Sequence, residues 1–160
     1  MKVNLYDNKR KKEIIGTISK AFKKELPRKK ENWQFDWQLL YSKNSTVYKL
    51  SYENEIQGLL KMTKVDEGYF EMSNLELSPA NYGSKGELQN VAGCLLAYAS
   101  LLTFSLNTGN YKGYLAFTSK GELITHYEKH YFAELVYREK MIIFPDNGKK
   151  LIRKYLKLKI

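Results

Sequence analysis

The chain of 160 residues has a single cysteine, Cys94, so no intramolecular disulfide staples it and its core must hold by packing alone. It also lacks any run of about eighteen uninterrupted apolar residues, the signature of a membrane-spanning helix. The longest apolar stretch, Val91 to Leu102, is too short and includes Gly93 and Ser100. The start, Met1 to Asp7, has no apolar signal-peptide core. With one cysteine, these absences point to the cytoplasm and to no membrane partner. No internal repeat or low-complexity segment occurs.

Acid is scarce too: 17 Asp and Glu against 27 Lys and Arg leave a net charge of +10, which favours anionic partners such as nucleic acid or a polyphosphate cofactor. The excess is segmental, crowded into Lys9 to Lys30 and Lys149 to Lys159. What is present is a globular composition, 43% hydrophobic and 28% charged, at a length that predicts one domain over residues 1–160.

Ile14, Ile15, Ile18, Phe22 and Leu26 recur at helical spacing between lysines, which predicts an amphipathic helix ended by Pro27. Arg28 to Tyr41, with Trp33 and Trp37, reads as a packed connector. Three strands follow at Thr46 to Tyr52, Ile56 to Val65 and Tyr69 to Leu77, separated by short polar breaks that predict an antiparallel meander. Pro79 and the run Asn81 to Gly86 break the sheet, and Val91 to Leu106 is apolar nearly all round, a buried helix. Tyr114 to Thr118 is a further strand. Ser119 with Glu122 forms a capping box for a helix reaching about His130. Leu135 to Tyr137 and Met141 to Phe144 are strand candidates, and Lys149 to Ile160 reads as a basic amphipathic helix. A strand, helix, strand passage after a meander requires a parallel neighbour, so the sheet is mixed.

In order and spacing, Asn74-Leu75-Glu76-Leu77-Ser78, Asn90-Val91-Ala92-Gly93-Cys94-Leu95-Leu96-Ala97, Gly113-Tyr114-Leu115-Ala116-Phe117 and Leu123-Ile124-Thr125-His126-Tyr127-Glu128-Lys129 resemble the GNAT N-acetyltransferase superfamily. The resemblance covers Thr46 to about Phe144. It implies an α+β fold: a mixed, mostly antiparallel central sheet, helices on both faces, and a splayed cofactor cleft between the strand ending near Leu77 and the strand Tyr114 to Thr118. It also implies acetyl-coenzyme A as co-substrate, no metal, an amine-bearing acceptor, and a monomer or homodimer. A non-catalytic coenzyme A binding fold, or a basic protein that binds nucleic acid or the ribosome, are the alternatives.

A glycine-containing loop feeding a helix presents free N–H groups and the positive end of a dipole to an anion, and here that loop runs from Gly83 to Gly93. By resemblance the anion is the coenzyme A pyrophosphate, held by backbone groups among Gln89, Asn90, Val91, Ala92, Gly93 and Cys94. The family's loop reads Arg or Gln, two residues, Gly, one residue, then Gly or Ala. Placing Gln89 first puts Ala92 and Cys94 on the small positions, while aligning on Leu95-Leu96 puts Asn90 and Ala92 there. Leu75 and Leu77 would offer backbone groups to the pantetheine arm, and Ser119 a polar contact besides its cap.

Glu71 resembles the family's strand carboxylate that takes the amine proton. Alternation sets it on a face with Tyr69, Ser73, Leu75 and Leu77, and its plainer reading is a cross-strand ion pair with Lys61 or Lys64. Glu76 is a second carboxylate on the opposite face. Tyr127 resembles the tyrosine that protonates the leaving thiolate, and also suits the apolar face of its helix. His126 and His130, four apart, lack a third metal ligand. Cys94 suits packing in the first turn of a buried helix.

Overall fold

Val3, Leu5 and Asp7 alternate with the more exposed Lys2, Asn4 and Tyr6, and this period of two makes Lys2–Asp7 a strand, β1. It turns back at Lys11, which holds a left-handed φ of 51°, into β2, Lys12–Lys20. Ile14, Gly16 and Ile18 face inward there, while Ile15 and Thr17 face out. The helix predicted over Ile14 to Leu26 is therefore absent. The β-branched run Ile14, Ile15, Thr17 and Ile18 satisfies the period of a strand as well as that of a helix, and pairing with β1 from Lys2↔Thr17 to Asp7↔Lys12 decides between them.

The computed structural model describes residues 1–83 and 85–160. Ser84, in the predicted anion loop, lies outside the described residues. The remaining elements are α1 (Trp37–Leu40), β3 (Ser45–Tyr52), β4 (Glu55–Lys64), β5 (Phe70–Leu77), β6 (Leu88–Gln89), α2 (Val91–Leu106), β7 (Leu115–Thr118), α3 (Ile124–Tyr131), β8 (Glu134–Tyr137), β9 (Lys140–Ile143) and α4 (Pro145–Leu151). The fold is mixed α+β with a large, mostly antiparallel sheet. β5 and β7 pair in parallel at Met72↔Phe117, and each of β1–β2, β1–β6, β2–β3, β7–β9 and β8–β9 is antiparallel.

The chain divides into two compact units, Met1–Lys61 with Asn74–Leu95, and Met62–Ser73 with Leu96–Ile160. In the first, strands follow the order β6-β1-β2-β3-β4-β5. Its core gathers Ala21, Leu26, Trp33, Trp37, Val47 and Leu59, so the connector after β2 is folded onto the sheet by both tryptophans. In the second the order is β5-β7-β9-β8, around Leu115, Phe117, Met141 and Ile143.

Two helix ends differ from expectation. Ser119 caps nothing: its Oγ donates to the Lys120 carbonyl at 2.8 Å and its N–H donates to the Glu139 carbonyl at 2.9 Å, so it ties β7 to the β8–β9 turn. A 3-10 turn, Gly121–Leu123, opens α3 instead. The C-terminal helix starts earlier than its lysines suggest, at Pro145, whose fixed φ suits a first helical position, and passes into a π turn over Ile152–Leu156. Lys157, with a φ of 58°, ends it.

Candidate functional site

The loop from Ser78 to Asn90 is held at both ends. Asn81, 2% exposed, accepts from the Leu88 N–H at 3.0 Å and donates through Nδ2 to the Gln57 carbonyl, Gln57 Oε1 and Ser78 Oγ at 2.9–3.1 Å. Gly86 lies so close behind it that a Cβ would stand 2.7 Å from the Asn81 carbonyl oxygen, which is why glycine is required there. β6 then pairs with β1 at Tyr6↔Gln89 and Asp7↔Leu88. Gln89 Nε2 donates to Asn8 Oδ1 at 2.5 Å, so this side chain is committed to the first hairpin.

Asn90 follows with a φ of 75°, a left-handed conformation that Asn tolerates. It redirects the chain into α2. The first helical bond runs from the Cys94 N–H to the Asn90 carbonyl at 2.9 Å. The N–H groups of Val91, Ala92 and Gly93 therefore lie ahead of the ladder, at the positive end of a sixteen-residue helix. Cys94 is fully buried, its N–H already used and its thiol directed at the Asn4 carbonyl at 3.8 Å.

On β5, alternation separates two carboxylates. Glu76 is 6% exposed and accepts four hydrogen bonds: from the Gln34 N–H at 2.6 Å, the Phe35 N–H at 3.2 Å, Trp37 Nε1 at 2.9 Å and the Tyr82 hydroxyl at 2.7 Å. It fastens the connector and the loop to the same strand. Burial and the Glu76 charge push the Tyr82 phenol far above its usual range. Sequence alternation placed Glu76 on the face opposite Glu71, but nothing local marked it as a hub, because three of its four partners lie about forty residues upstream.

Glu71, in the second unit, is half-buried. Burial pushes its carboxyl up, and nearby Lys140 pulls it back only in part. Lys140 Nζ donates to the Tyr69 hydroxyl at 3.0 Å and stands 5.7 Å from the centre of that ring. Tyr127 is also half-buried, edge-on to Phe117 at 5.0 Å and beside Tyr131 at 6.1 Å, and burial raises its phenol. His126 and His130 lie 4.7 Å apart as ring neighbours. Burial and the charge of His130 lower the His126 imidazole. Among the described residues no group of three His, Cys, Asp or Glu is placed to hold a metal.

The basic C-terminal segment rests on rings: Lys149 lies 5.8 Å from the centre of Phe104, Lys150 5.6 Å from Phe132 and Lys154 5.1 Å from Tyr155. Such packing accounts for these lysines without a polyanion. Among the described residues no helix is long and apolar enough to cross a membrane.

Two solved structures share this architecture. The KacTA–DNA complex matches at TM-score 0.62 and 10% identity, covering 87% of this chain and 99% of that one. A tyrosine-to-phenylalanine mutant of the AtaT toxin, bound to the C-terminus of the antitoxin AtaR and to acetyl-CoA, matches at TM-score 0.56 and 12% identity, covering 86% and 98%. At such identities the likeness is one of fold, and the chain has the GNAT-like acetyltransferase fold. No family model and no curated protein matches the sequence.

Proposed function

We propose that this chain is an N-acetyltransferase that moves an acetyl group from acetyl-CoA to an amine by direct attack. The observation that carries the reading is the passage from β5 through a pinned loop to the α2 N-terminus, where left-handed Asn90 leaves the Val91, Ala92 and Gly93 N–H groups ahead of the helical ladder. Support comes also from AtaT, a protein of the same fold whose structure contains acetyl-CoA. In this reading the three N–H groups hold the pyrophosphate, with Gln89 and Cys94 shaping the loop through the side chain and N–H they commit elsewhere. The Leu75 and Leu77 backbone pairs with the pantetheine arm as an added strand, and Ser119 is the residue that the family resemblance assigns a polar contact to that arm.

Acetyl-CoA supplies the activated thioester. Glu71 takes the proton of the attacking amine, a role suited to a carboxyl whose proton affinity burial has raised. Tyr127 keeps its proton at neutral pH because burial raises its phenol, so it can pass that proton to the departing sulfur. Acceptor identity would be set by the connector and the β8–β9 hairpin.

The test has two arms. Acetyl-CoA at about a hundred times its dissociation constant should stabilise the protein by about 2.7 kcal/mol in thermal unfolding. No stabilisation at millimolar cofactor rejects coenzyme binding. Thiol release across an amine panel should then fall about a hundredfold or more in Glu71→Gln and in Tyr127→Phe. Equal turnover in all three proteins would remove both catalytic assignments and leave cofactor binding standing.

A further inference from the structure

The second unit carries a cluster of side chains beside Glu71 that acetyl transfer by itself does not require. On β5 the period of two buries Met72 and turns Glu71 and Ser73 to the more open face. On β9 Met141 and Ile143 are buried, and Lys140 and Ile142 lie on the half-open face. Tyr69 continues the Glu71 face one step before β5, its carbonyl accepting from the Val65 N–H at 2.8 Å across the hairpin.

Tyr69 fixes where the charge of Lys140 stands. The Lys140 ammonium donates to the Tyr69 hydroxyl at 3.0 Å and lies 5.7 Å from the centre of the ring, so its nitrogen is held by the tyrosine. It still acts on Glu71, whose carboxyl it pulls down, and Glu71 raises Lys140 in return. Glu67, the other acid that acts on both, is exposed on the β4–β5 turn, where salt and water screen it. One face therefore presents an anion and a cation kept apart by a tyrosine, the complement of a zwitterion.

Rings complete the cluster. Tyr111, in the turn Gly109–Tyr111 that precedes β7, stacks on Tyr69 with ring centres 4.9 Å apart and planes inclined by 32°. It remains 44% exposed. A tyrosine half in water and braced by a second ring offers an apolar surface next to the two charges.

We infer that the acceptor is an aromatic α-amino acid: its ammonium meets Glu71, its carboxylate meets the Lys140 ammonium, and its ring lies on Tyr111. Lys140 and Tyr111 are then specificity-determining residues. The inference rests on the acetyl-transfer reading and extends it to a substrate class. The bound ammonium yields one proton to solvent through Glu71. Its nitrogen then bonds to the acetyl carbon as the carbon–sulfur bond breaks. Tyr127 passes its proton to the departing sulfur, and the second proton shed by the nitrogen restores Tyr127. The products are the N-acetyl amino acid and the free thiol of coenzyme A.

Thiol release from saturating acetyl-CoA is followed with L-phenylalanine, with phenethylamine, which lacks the carboxylate, and with L-alanine, which lacks the ring. In Lys140→Met the ratio of kcat/KM for phenylalanine to that for phenethylamine should fall at least about tenfold from its wild-type value, as expected when a charge-assisted hydrogen bond is lost. Both amines use Glu71, so the shift that this variant imposes on the base cancels in the ratio. In Tyr111→Ala the ratio for phenylalanine to alanine should fall about threefold or more. An unchanged ratio in either variant overturns the inference, as does wild-type protein that acetyl-CoA stabilises but that leaves phenylalanine unacetylated at tens of millimolar. Protein that acetyl-CoA fails to stabilise rejects the acetyl-transfer reading, and this inference falls with it. Should Lys140→Met fail to fold by circular dichroism, Lys140→Gln decides by the same ratio.

Discussion

A carboxylate in a protein interior is tolerated only when donors or cations meet it, and β5 carries two that meet this need differently. Glu76 has four donors and no freedom. Removing it in Glu76→Ala strips the indole of Trp37, two connector N–H groups and the Tyr82 hydroxyl of their acceptor at once. The expected loss of unfolding free energy in urea is about 3 kcal/mol or more. Glu71 has desolvation only partly offset by Lys140, so its carboxyl binds a proton more readily in the folded chain than in the unfolded one. Stability linked to it is present at low pH and falls as pH rises from the unfolded carboxylate range through the raised folded value. Glu71→Gln should flatten that fall in pH-dependent unfolding. Removing the opposing cation moves the group further up, so in Lys140→Met the acid limb of the pH–rate profile should shift to higher pH. An unmoved limb would mean that the titrating base is not Glu71.

At the scale of elements, the helix that carries the proposed anion site is positioned by what β4 lacks. A Cβ on Gly58 would come within 2.8 Å of Leu95 Cδ1 and 2.9 Å of Val91 Cγ1, so glycine lets the first turn of α2 approach the sheet. Gly58→Ala should overpack that contact and cost about 1–3 kcal/mol, read from denaturant midpoints. The meander, α2 and the last hairpin were legible in the sequence because each satisfies one period and is bounded by turn residues. β2 was not, since Ile14 and Ile18, four apart, fit both periods and only β1, itself marked by little more than Val3, Leu5 and Asp7, settles the choice. β6 was not legible either: two residues carry no pattern, and Leu88–Gln89 is a strand only because β1 stands beside it. For the same reason the sequence located the α2 N-terminus but not the side chains that pin its loop. The bonds of Asn81 to Gln57 and of Glu76 to the connector join residues distant in the chain, and polar residues announce such bonds by no periodicity.

At the scale of the whole chain, three elements are shared by the two compact units: β4 is divided after Lys61, β5 after Ser73 and α2 after Leu95. Unfolding one unit alone would have to stop in the middle of two strands and a helix. Helices propagate cooperatively once nucleated, and strands depend on their neighbours for every ladder bond, so such an arrested boundary is unfavourable. Residues 1–160 should therefore lose structure in one transition, as a single domain does. The chain supplies separate reporters for the test. Both tryptophans, Trp33 and Trp37, belong to the first unit, whereas the amides of Phe117 and Met141 lie in the core strands of the second. Tryptophan fluorescence and amide exchange at those two positions, followed along one urea gradient, should give coincident midpoints. Midpoints that separate would show that Met62–Ser73 with Leu96–Ile160 folds on its own, and the reading of the chain as one domain would fail with them.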